Sequence, residues 1–375
     1  MGVNIKGQPQ PDQPPVLEVT GVGLDGLKEP ENVLDAGNSG TTTRLLSGLL
    51  AAQPFLSIIT GDSSLRSRPM KRVIAPLRLM GAQVSARKDD SLAPLVIKGG
   101  NLRGITYRLP VASAQVKSAV MLAALFARGN TCVEEPQLSR DHTERLLRSM
   151  GVSLKIEDSR IEVTPLTAAP IALDLVVPGD ISSAAYWLVA GVIHPQARIK
   201  VINCGINPTR AGLIEALQAM GAVIRIEKER RQGDEPVADI VVESSQLRGI
   251  DISGKIVPHL IDEIPVLAVA ASMAKGTTTI RGAEELRVKE SDRIDTTVRE
   301  LSKMGANIEA LPDGMIVQGV QRLHGADVDS YKDHRLAMSL GVAALVAQGV
   351  TTISGAEAVD ISYPGFWEVL GRIIK

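Results

Sequence analysis

The sequence predicts an α/β chain of six several-element modules arranged as two lobes, and three observations carry that expectation. The first is length: 375 residues favour two domains at roughly 100 to 200 residues each. The second is a leucine-rich helical phrase ending in Met-Gly-Ala or Met-Gly-Val, at Met80-Gly81-Ala82, Met150-Gly151-Val152, Met220-Gly221-Ala222 and Met304-Gly305-Ala306. Degenerate copies stand at Met1-Gly2-Val3 and Leu370-Gly371. The third is spacing. Gly2, Gly81, Gly151, Gly221, Gly305 and Gly371 are separated by 79, 70, 70, 84 and 66 residues, beyond the solenoid range of about 20 to 50, so each unit must hold several elements.

Along the chain, Met1-Gly2-Val3 reads as the tail of a unit whose first ~60 residues are expected to lie upstream. Val16 to Val19 has a strand pattern, and Asn38-Ser39-Gly40-Thr41 opens an alanine- and leucine-rich helix. Gly61 to Met70 forms a turn ahead of the helix that ends at Met80. Ser113-Ala114-Gln115 opens the next buried helix, and Asn130 to Val133 is strand-like, with Cys132 a core residue. Leu146 to Ile156 runs from helix through a glycine stop into strand. Leu175 to Asp180 sits at the middle of the six-unit count and is the expected hinge, dividing the chain into lobes 1–178 and 179–375. Asp180-Ile181-Ser182-Ser183 then starts a helix, and Leu213 to Ile226 repeats the helix, glycine and strand pattern. The charged run Lys228 to Pro236 is expected to be a solvated turn. Asp262-Glu263 and Asp333-His334-Arg335 open two more helices, and Val298 to Ile308 carries another helix-to-strand passage. Polar residues before apolar helices are capping signals, and alanine and glycine let such helices pack closely at the centre of a module.

Composition excludes several classes. Lysine and arginine number 41 against 42 aspartate and glutamate, a net charge of −1, so no basic excess draws the chain to nucleic acid or a membrane surface. Hydrophobic residues make up 44% with only nine aromatics, which predicts an aliphatic, small-residue core. Two cysteines, Cys132 and Cys204, are too few for a disulfide scaffold. The stretch from Met1 to Pro15 has no leader pattern, and apolar runs such as Ala119 to Phe126 and Val266 to Met273 are far shorter than the ~20 residues of a membrane span. A cytoplasmic, monomeric protein is the expectation.

Among motifs, Gly21-Val22-Gly23-Leu24-Asp25-Gly26 matches a dinucleotide fingerprint in letters alone, because Pro30 stands where its helix would run. No metal-binding spacing of histidine or cysteine occurs. What remains is a set of arginines at helix starts. Asn38 to Arg44 is a glycine-containing loop at a helix N-terminus, where free N–H groups favour an anion. Arg66, Arg68 and Arg140 lie on turns before helices, and the arginine fork suits carboxylate or phosphate. The densest constellation is Glu284 to Arg293, with Arg287, Lys289, Glu290 and Arg293, together with Asp262 before it. Isolated, such a run would be a surface ladder of ion pairs. Here it lies between the strand-like Thr277 to Ile280 and a helix from Ile294, a junction where cations can hold an anionic substrate and carboxylates move protons.

These residues resemble the 5-enolpyruvylshikimate-3-phosphate synthase family across essentially the whole chain. The resemblance rests on LDAGNSGTTTR (34 to 44), RPM (68 to 70), SAQVKSA (113 to 119), SRDHTER (139 to 145), GDISSAAY (179 to 186), IDEIPVLAVAA (261 to 271), ELRVKESDRI (285 to 294) and DHRLAMS (333 to 339). It implies the two-lobe enolpyruvyl transferase fold, an inside-out α/β barrel of six β-α-β-α-β-β repeats with the first incomplete. It also implies transfer of the enolpyruvyl group of phosphoenolpyruvate to the 5-hydroxyl of shikimate 3-phosphate, with no metal or organic cofactor needed. By position, Asp262 resembles the base for that hydroxyl, and Glu290 with Lys289 the pair handling the methylene proton. Gly40, Arg68, Gln115, Arg293 and Arg335, beside Asn38, resemble the phosphoenolpyruvate site; Ser113, Gln115, Arg140, Asp262 and Lys289 resemble the shikimate 3-phosphate site. The wording is similar to the glyphosate-tolerant bacterial class, although Gly40 stands where tolerant forms commonly carry alanine. The family's Lys-Ser-x-x-x-Arg signature is expected upstream of Met1, so impaired activity is expected of the chain as it stands. Two other readings are a UDP-N-acetylglucosamine enolpyruvyl transferase, disfavoured because no cysteine follows Arg68-Pro69, and a non-catalytic anion-binding fragment.

Overall fold

Every full copy of the Met-Gly phrase ends a helix. In the computed structural model, which describes residues 1–7 and 16–373, Gly81, Gly151, Gly221 and Gly305 take φ values of +110°, +78°, +96° and +85°. Side chains rarely adopt that region and glycine enters it freely. In all four copies the N–H of the following residue reaches back to the helix, Ala82 to Leu77, Val152 to Leu147, Ala222 to Leu217 and Ala306 to Leu301, which is the closing bond of a Schellman stop. The degenerate copy at Leu370-Gly371 behaves otherwise: Gly371 lies inside the helix Phe366–Ile373. Residues 8–15, part of the stretch read for a leader, and 374–375 lie outside the described residues.

Contacts divide the chain into two compact units, Met1–Leu173 and Asp174–Lys375, where the sequence placed a boundary after residue 178. Within the first unit, the strands Leu34–Asp35, Leu56–Thr60, Leu92–Lys98 and Gln83–Ala86 lie side by side in that spatial order. Thr106–Arg108, Thr131–Glu134, Arg160–Val163 and Leu154–Glu157 repeat the arrangement. In the second unit it recurs in Asp251–Ile252, Thr277–Ile280, Gly314–Gln318 and Asn307–Leu311. Each time the first two strands are parallel, so a buried helix must cross between them. A fourth sheet joins Arg198–Gly205, Glu235–Glu243 and Val223–Gln232, with a single parallel bridge from Gly179 to Cys204 in place of a first strand.

The run Lys228 to Pro236 departs from expectation. Most of it is strand, and only Gly233-Asp234 turns. Its charges are accommodated because this end of the hairpin is open to solvent, with Lys228 and Arg230 3.9 and 4.0 Å from the Asp239 carboxylate.

The crossover helices form the cores. In the first unit Gly40–Ala51 packs on Ala114–Ala124; a Cβ at Gly48 would fall 2.0 Å from the Ala119 carbonyl oxygen, so only glycine permits this approach. In the second unit Ile181–Ile193, Ile264–Ser272 and His334–Ala344 pack against one another, and Ile264–Ser272 is buried along its whole length. Five of the nine aromatics, Tyr186, Trp187, Tyr363, Phe366 and Trp367, form one cluster beside these helices. No described helix is long and apolar enough to cross a membrane.

Candidate active site

The crossover helices of each unit start close together, and the candidate residues gather at those starts. In the first unit Ser39 caps Gly40–Ala51 by accepting from the Thr42 N–H at 3.0 Å. Gln115, on the first turn of Ala114–Ala124, donates to Thr41 Oγ1 at 2.7 Å and accepts from Arg44. Arg68 follows the 3₁₀ turn Leu65–Ser67 and donates to Asn38 Oδ1 at 3.0 Å. The Asn38 amide in turn donates to Asp62 at 2.7 Å. The N–H of Leu65, Asn38 and Arg68 hold the Asp62 carboxyl below its ordinary range against the opposing effect of burial. A Cβ at Gly40 would stand 3.1 Å from Arg44 Nη1 and 3.3 Å from Arg68 Nη1, so two guanidinium groups face the bare backbone of a helix N-terminus. Such an arrangement suits an anion.

Ser113 is the N-cap residue of Ala114–Ala124. Arg140 lies in the loop ahead of His142–Ser149, next to Ser139, which is anchored from below. Lys117, buried on the Ala114–Ala124 helix, reaches Glu135 Oε2 at 2.8 Å, Glu144 Oε1 at 2.6 Å and the Ser139 carbonyl at 3.4 Å. Ser139 Oγ also donates to Glu135. One buried lysine thus ties a strand end, a loop and a helix. Burial raises the Glu144 carboxyl, and Lys117 opposes that rise.

In the second unit the constellation converges on Arg293, the first residue of its helix and 1% exposed. Its guanidinium donates to Asp333 at 2.8 and 3.2 Å, to Asp262 Oδ1 at 3.3 Å and to Glu290 Oε2 at 2.6 Å. Burial works against its charge, but Asp333 and Glu290 outweigh it and hold the guanidinium more firmly protonated. Lys289 Nζ stands 3.3 Å from Asp262 Oδ1. Arg335 reaches the Asp262 carbonyl at 3.4 Å and the Glu263 carboxylate at 3.6 Å. Three cations therefore share four carboxylates at the starts of two crossover helices and the outer helix Arg293–Lys303. Asp333 carries much of this order: it also caps its own helix through the Arg335 N–H at 2.9 Å. Burial would raise its carboxyl, yet Arg293 holds it below the ordinary range.

Beside this cluster lies a small, open recess whose lining includes Asp180, Ser182, Tyr186, His334, Arg335 and Met338. Burial first, then the neighbouring Arg335, lowers the His334 imidazole below its ordinary value, and burial raises the Tyr186 phenol. Arg210 donates to Ser182 and lies 3.3 Å from Asp180 Oδ1, while Ser182 donates to Glu263.

The structure thus brings Asp262, Lys289, Glu290, Arg293 and Arg335 together in the second unit, and Asn38, Gly40, Arg68 and Gln115 in the first; Ser113 and Arg140 stand on adjoining elements. Arg287 turns away, bonding Asp292 and Asp295 and the carbonyls of Leu311 and Pro312, so it ties a strand end to the helix start. Sequence reasoning missed Glu263, Arg210 and Tyr186. Glu263 carries the signal of a cap, Tyr186 stands in the GDISSAAY phrase without a role of its own, and Arg210 has no local signal, since tertiary packing alone carries it to the helix starts. Among the described residues, no group of histidine, cysteine and carboxylate side chains could hold a metal ion. Both cysteines are buried, and burial pushes the Cys204 thiol up to about 12.

Residues 12–370 match the family model described as EPSP synthase (3-phosphoshikimate 1-carboxyvinyltransferase). A curated 3-phosphoshikimate 1-carboxyvinyltransferase of Herpetosiphon aurantiacus is 54% identical over 359 residues, covering 95% of this chain and 83% of its own length. One from Desulforamulus reducens is 51% identical over 374 residues, covering 100% of this chain and 86% of the relative. The solved EPSP synthase of Acinetobacter baumannii superimposes with a TM-score of 0.87 at 45% identity, covering 100% of this chain and 85% of that one. The enolpyruvyl transferase NikO of Streptomyces tendae matches at a TM-score of 0.70 and 19% identity over 88% of this chain and 74% of its own, a likeness of fold. The matches to the first three of these run over 95 to 100% of this chain and 83 to 86% of the length of those relatives, and they do not by themselves place the expected ~60 residues ahead of Met1.

Proposed function

Because the chain belongs to the EPSP synthase (3-phosphoshikimate 1-carboxyvinyltransferase) family, we propose that it transfers the enolpyruvyl group of phosphoenolpyruvate to the 5-hydroxyl of shikimate 3-phosphate. Its fold is the two-domain enolpyruvyl transferase α/β fold. In the proposed reaction the methylene carbon of phosphoenolpyruvate takes up a proton, the 5-hydroxyl adds to C2 as it loses its own proton, and the tetrahedral adduct expels inorganic phosphate. Loss of a proton from the new methyl group then leaves the enol ether. No redox step, metal or organic cofactor is required by this balance.

The observation that carries the reading is the cluster around Arg293. Asp262 is the proposed base for the 5-hydroxyl, with the Lys289 ammonium 3.3 Å away to hold its carboxylate and to donate a proton. Glu290, held at 2.6 Å by Arg293, is the proposed partner of Lys289 at the methylene carbon. Arg293 and Arg335 supply fixed positive charge for the carboxylate and phosphate of phosphoenolpyruvate and for the charge that develops on the departing phosphate. In the first unit Arg68, Gln115 and the Gly40 helix start are proposed as further donors to phosphoenolpyruvate, beside Asn38; Ser113, Gln115 and Arg140 are proposed as donors to the sugar phosphate. The enzyme is proposed to act as a cytoplasmic monomer.

The test is phosphate release by the purified chain with both substrates, with UDP-N-acetylglucosamine as a control acceptor. Phosphate released with shikimate 3-phosphate alone supports the reading. Release with the nucleotide sugar, or calorimetric binding of shikimate 3-phosphate with no release once phosphoenolpyruvate is added, overturns it in favour of the sibling transferase or of a binding protein.

A further inference from the structure

The turn that delivers Asp333 and Arg335 to the cluster is backbone-strained, and one buried carboxylate outside the site grips it. Tyr331 and Lys332 have φ of +52° and +59°. Two consecutive residues with side chains in this sparsely populated region persist only where their surroundings impose it, and such conformations gather at functional sites. Glu300, on the outer helix Arg293–Lys303 and wholly buried, supplies the restraint. Its Oε2 accepts the Asp329 N–H at 2.9 Å, and its Oε1 accepts the Tyr331 hydroxyl at 2.9 Å. The Lys303 ammonium, 2.7 Å from Oε2, balances the charge.

Other bonds close the turn. Asp329 Oδ1 accepts the Tyr331 N–H at 2.7 Å, and Ser330 Oγ accepts the Lys332 N–H at 3.2 Å while donating to the Gly355 carbonyl at 2.9 Å. The Ser330 carbonyl then accepts the Asp333 N–H at 2.9 Å. Asp333 divides its carboxylate between the Arg293 guanidinium and the Arg335 N–H. A continuous path of bonds therefore runs from Glu300 through the strained turn to both arginines, on the same helix that carries Arg293 seven residues earlier.

We propose that Glu300 is a positioning residue for the transferase reaction: by holding Asp329 and Tyr331 it forces Tyr331-Lys332 into the left-handed conformation that sets Asp333, and through Asp333 the two arginines. This rests on the function proposed above. Glu300 touches no reacting atom; it acts through geometry, where a displacement of about 1 Å can cost on the order of a hundredfold in rate.

The experiment compares Glu300→Gln, Lys332→Gly and the double variant with the parent enzyme, reading kcat and both KM values well below each variant's unfolding midpoint. Glutamine keeps the shape of Glu300 but replaces an acceptor oxygen with a donor. We expect Glu300→Gln to lower kcat about tenfold or more in fully folded protein. Lys332→Gly should act near the parent level. In the double variant, glycine adopts the positive φ without help, so most of the lost kcat should return. Parental kinetics in Glu300→Gln, or a loss that Lys332→Gly leaves unrepaired, overturns the proposal. Should Glu300→Gln fail to fold, Tyr331→Phe, which removes one of the gripping bonds, is read the same way and must lower kcat. Amide exchange at Arg335 reports the positioning without substrate: faster exchange in the Glu300 variant supports it, and unchanged exchange overturns it. A parent chain that releases no phosphate, together with faster exchange in the variant, would remove the functional reading and leave the positioning standing.

Discussion

At the scale of single residues the decisive fact is that Arg293 is buried and serves three carboxylates at once. A buried charge survives only when its hydrogen-bonding capacity is matched, and the planar fork allows bonds on several sides where an ammonium offers a compact point charge. Arg293→Lys keeps the charge and loses the fork. The expected result is a drop of about a hundredfold in kcat/KM, close to 3 kcal/mol of transition-state stabilisation, with a stability loss of about 2 to 4 kcal/mol as one carboxylate loses its donor. Steady-state kinetics and urea unfolding of the same preparation measure the two, and a lysine variant with parental kcat/KM would show the fork to be dispensable. Individual residues were legible in the sequence where a local signal marks them. Lys289, Glu290 and Arg293 stand in one charged run at a strand-to-helix junction, and Gly40 lies in a capped loop. Arg210 and Glu263 were not, because their roles come from contacts with Ser182 and Arg335 across 28 and 72 positions of chain.

At the scale of elements, the Lys117 network shows how a helix, a strand end and a loop are bound into one support beneath Arg140. Lys117→Met would leave Glu135 and Glu144 facing each other in a buried space, at a cost of about 3 to 5 kcal/mol near neutral pH. The sign with pH follows from Glu144, whose carboxyl is raised by burial even with Lys117 present. The folded state therefore binds this proton more tightly than the unfolded chain does, and the penalty for leaving the group ionised grows as pH rises above the ordinary 4.5. Urea unfolding at pH 5 and pH 7.5 should show the variant losing less at the lower value; equal losses would mean that the carboxylates are relieved some other way. Elements were the most legible level, since four Met-Gly phrases became four glycine-stopped helices. Leu370-Gly371 misled because glycine is tolerated inside a short, half-exposed terminal helix. Lys228 to Pro236 misled because strands that project into solvent lose the alternation of buried and exposed residues by which strands are read.

Across the whole molecule, two buried groups of the second unit are expected to contribute to the response to acid. His334 has its imidazole lowered from 6.5 by burial and by Arg335. The unfolded chain thus takes up this proton first, and stability falls as pH drops through about 6.5. Asp333, held below 3.8 chiefly by Arg293 against its burial, contributes stability that is present above 3.8 and lost as pH falls further. The second unit is therefore expected to weaken in two stages on acidification. Unfolding midpoints between pH 8 and pH 5 measure the first stage, and His334→Gln should flatten it; an unchanged slope would assign it to other groups. Four of the modules were readable at this scale because the Met-Gly phrase that stops a helix in each recurs at a period. The division after Leu173 came out five residues earlier than the count suggested, since contact density and not sequence symmetry sets where a unit ends.

The aromatic cluster has a spectroscopic consequence. Both tryptophans of the chain, Trp187 and Trp367, lie in the second unit, with their indole N–H groups donating to Tyr363 and to the Ala356 carbonyl. Intrinsic fluorescence is thus a built-in reporter of Asp174–Lys375, to which Met1–Leu173 contributes no tryptophan emission. Far-ultraviolet dichroism registers the helices of both units, so superimposing the two signals during denaturation separates their fates with no label attached. Coincident curves would mark a single cooperative transition, and an emission change displaced from the dichroism would give each unit its own stability.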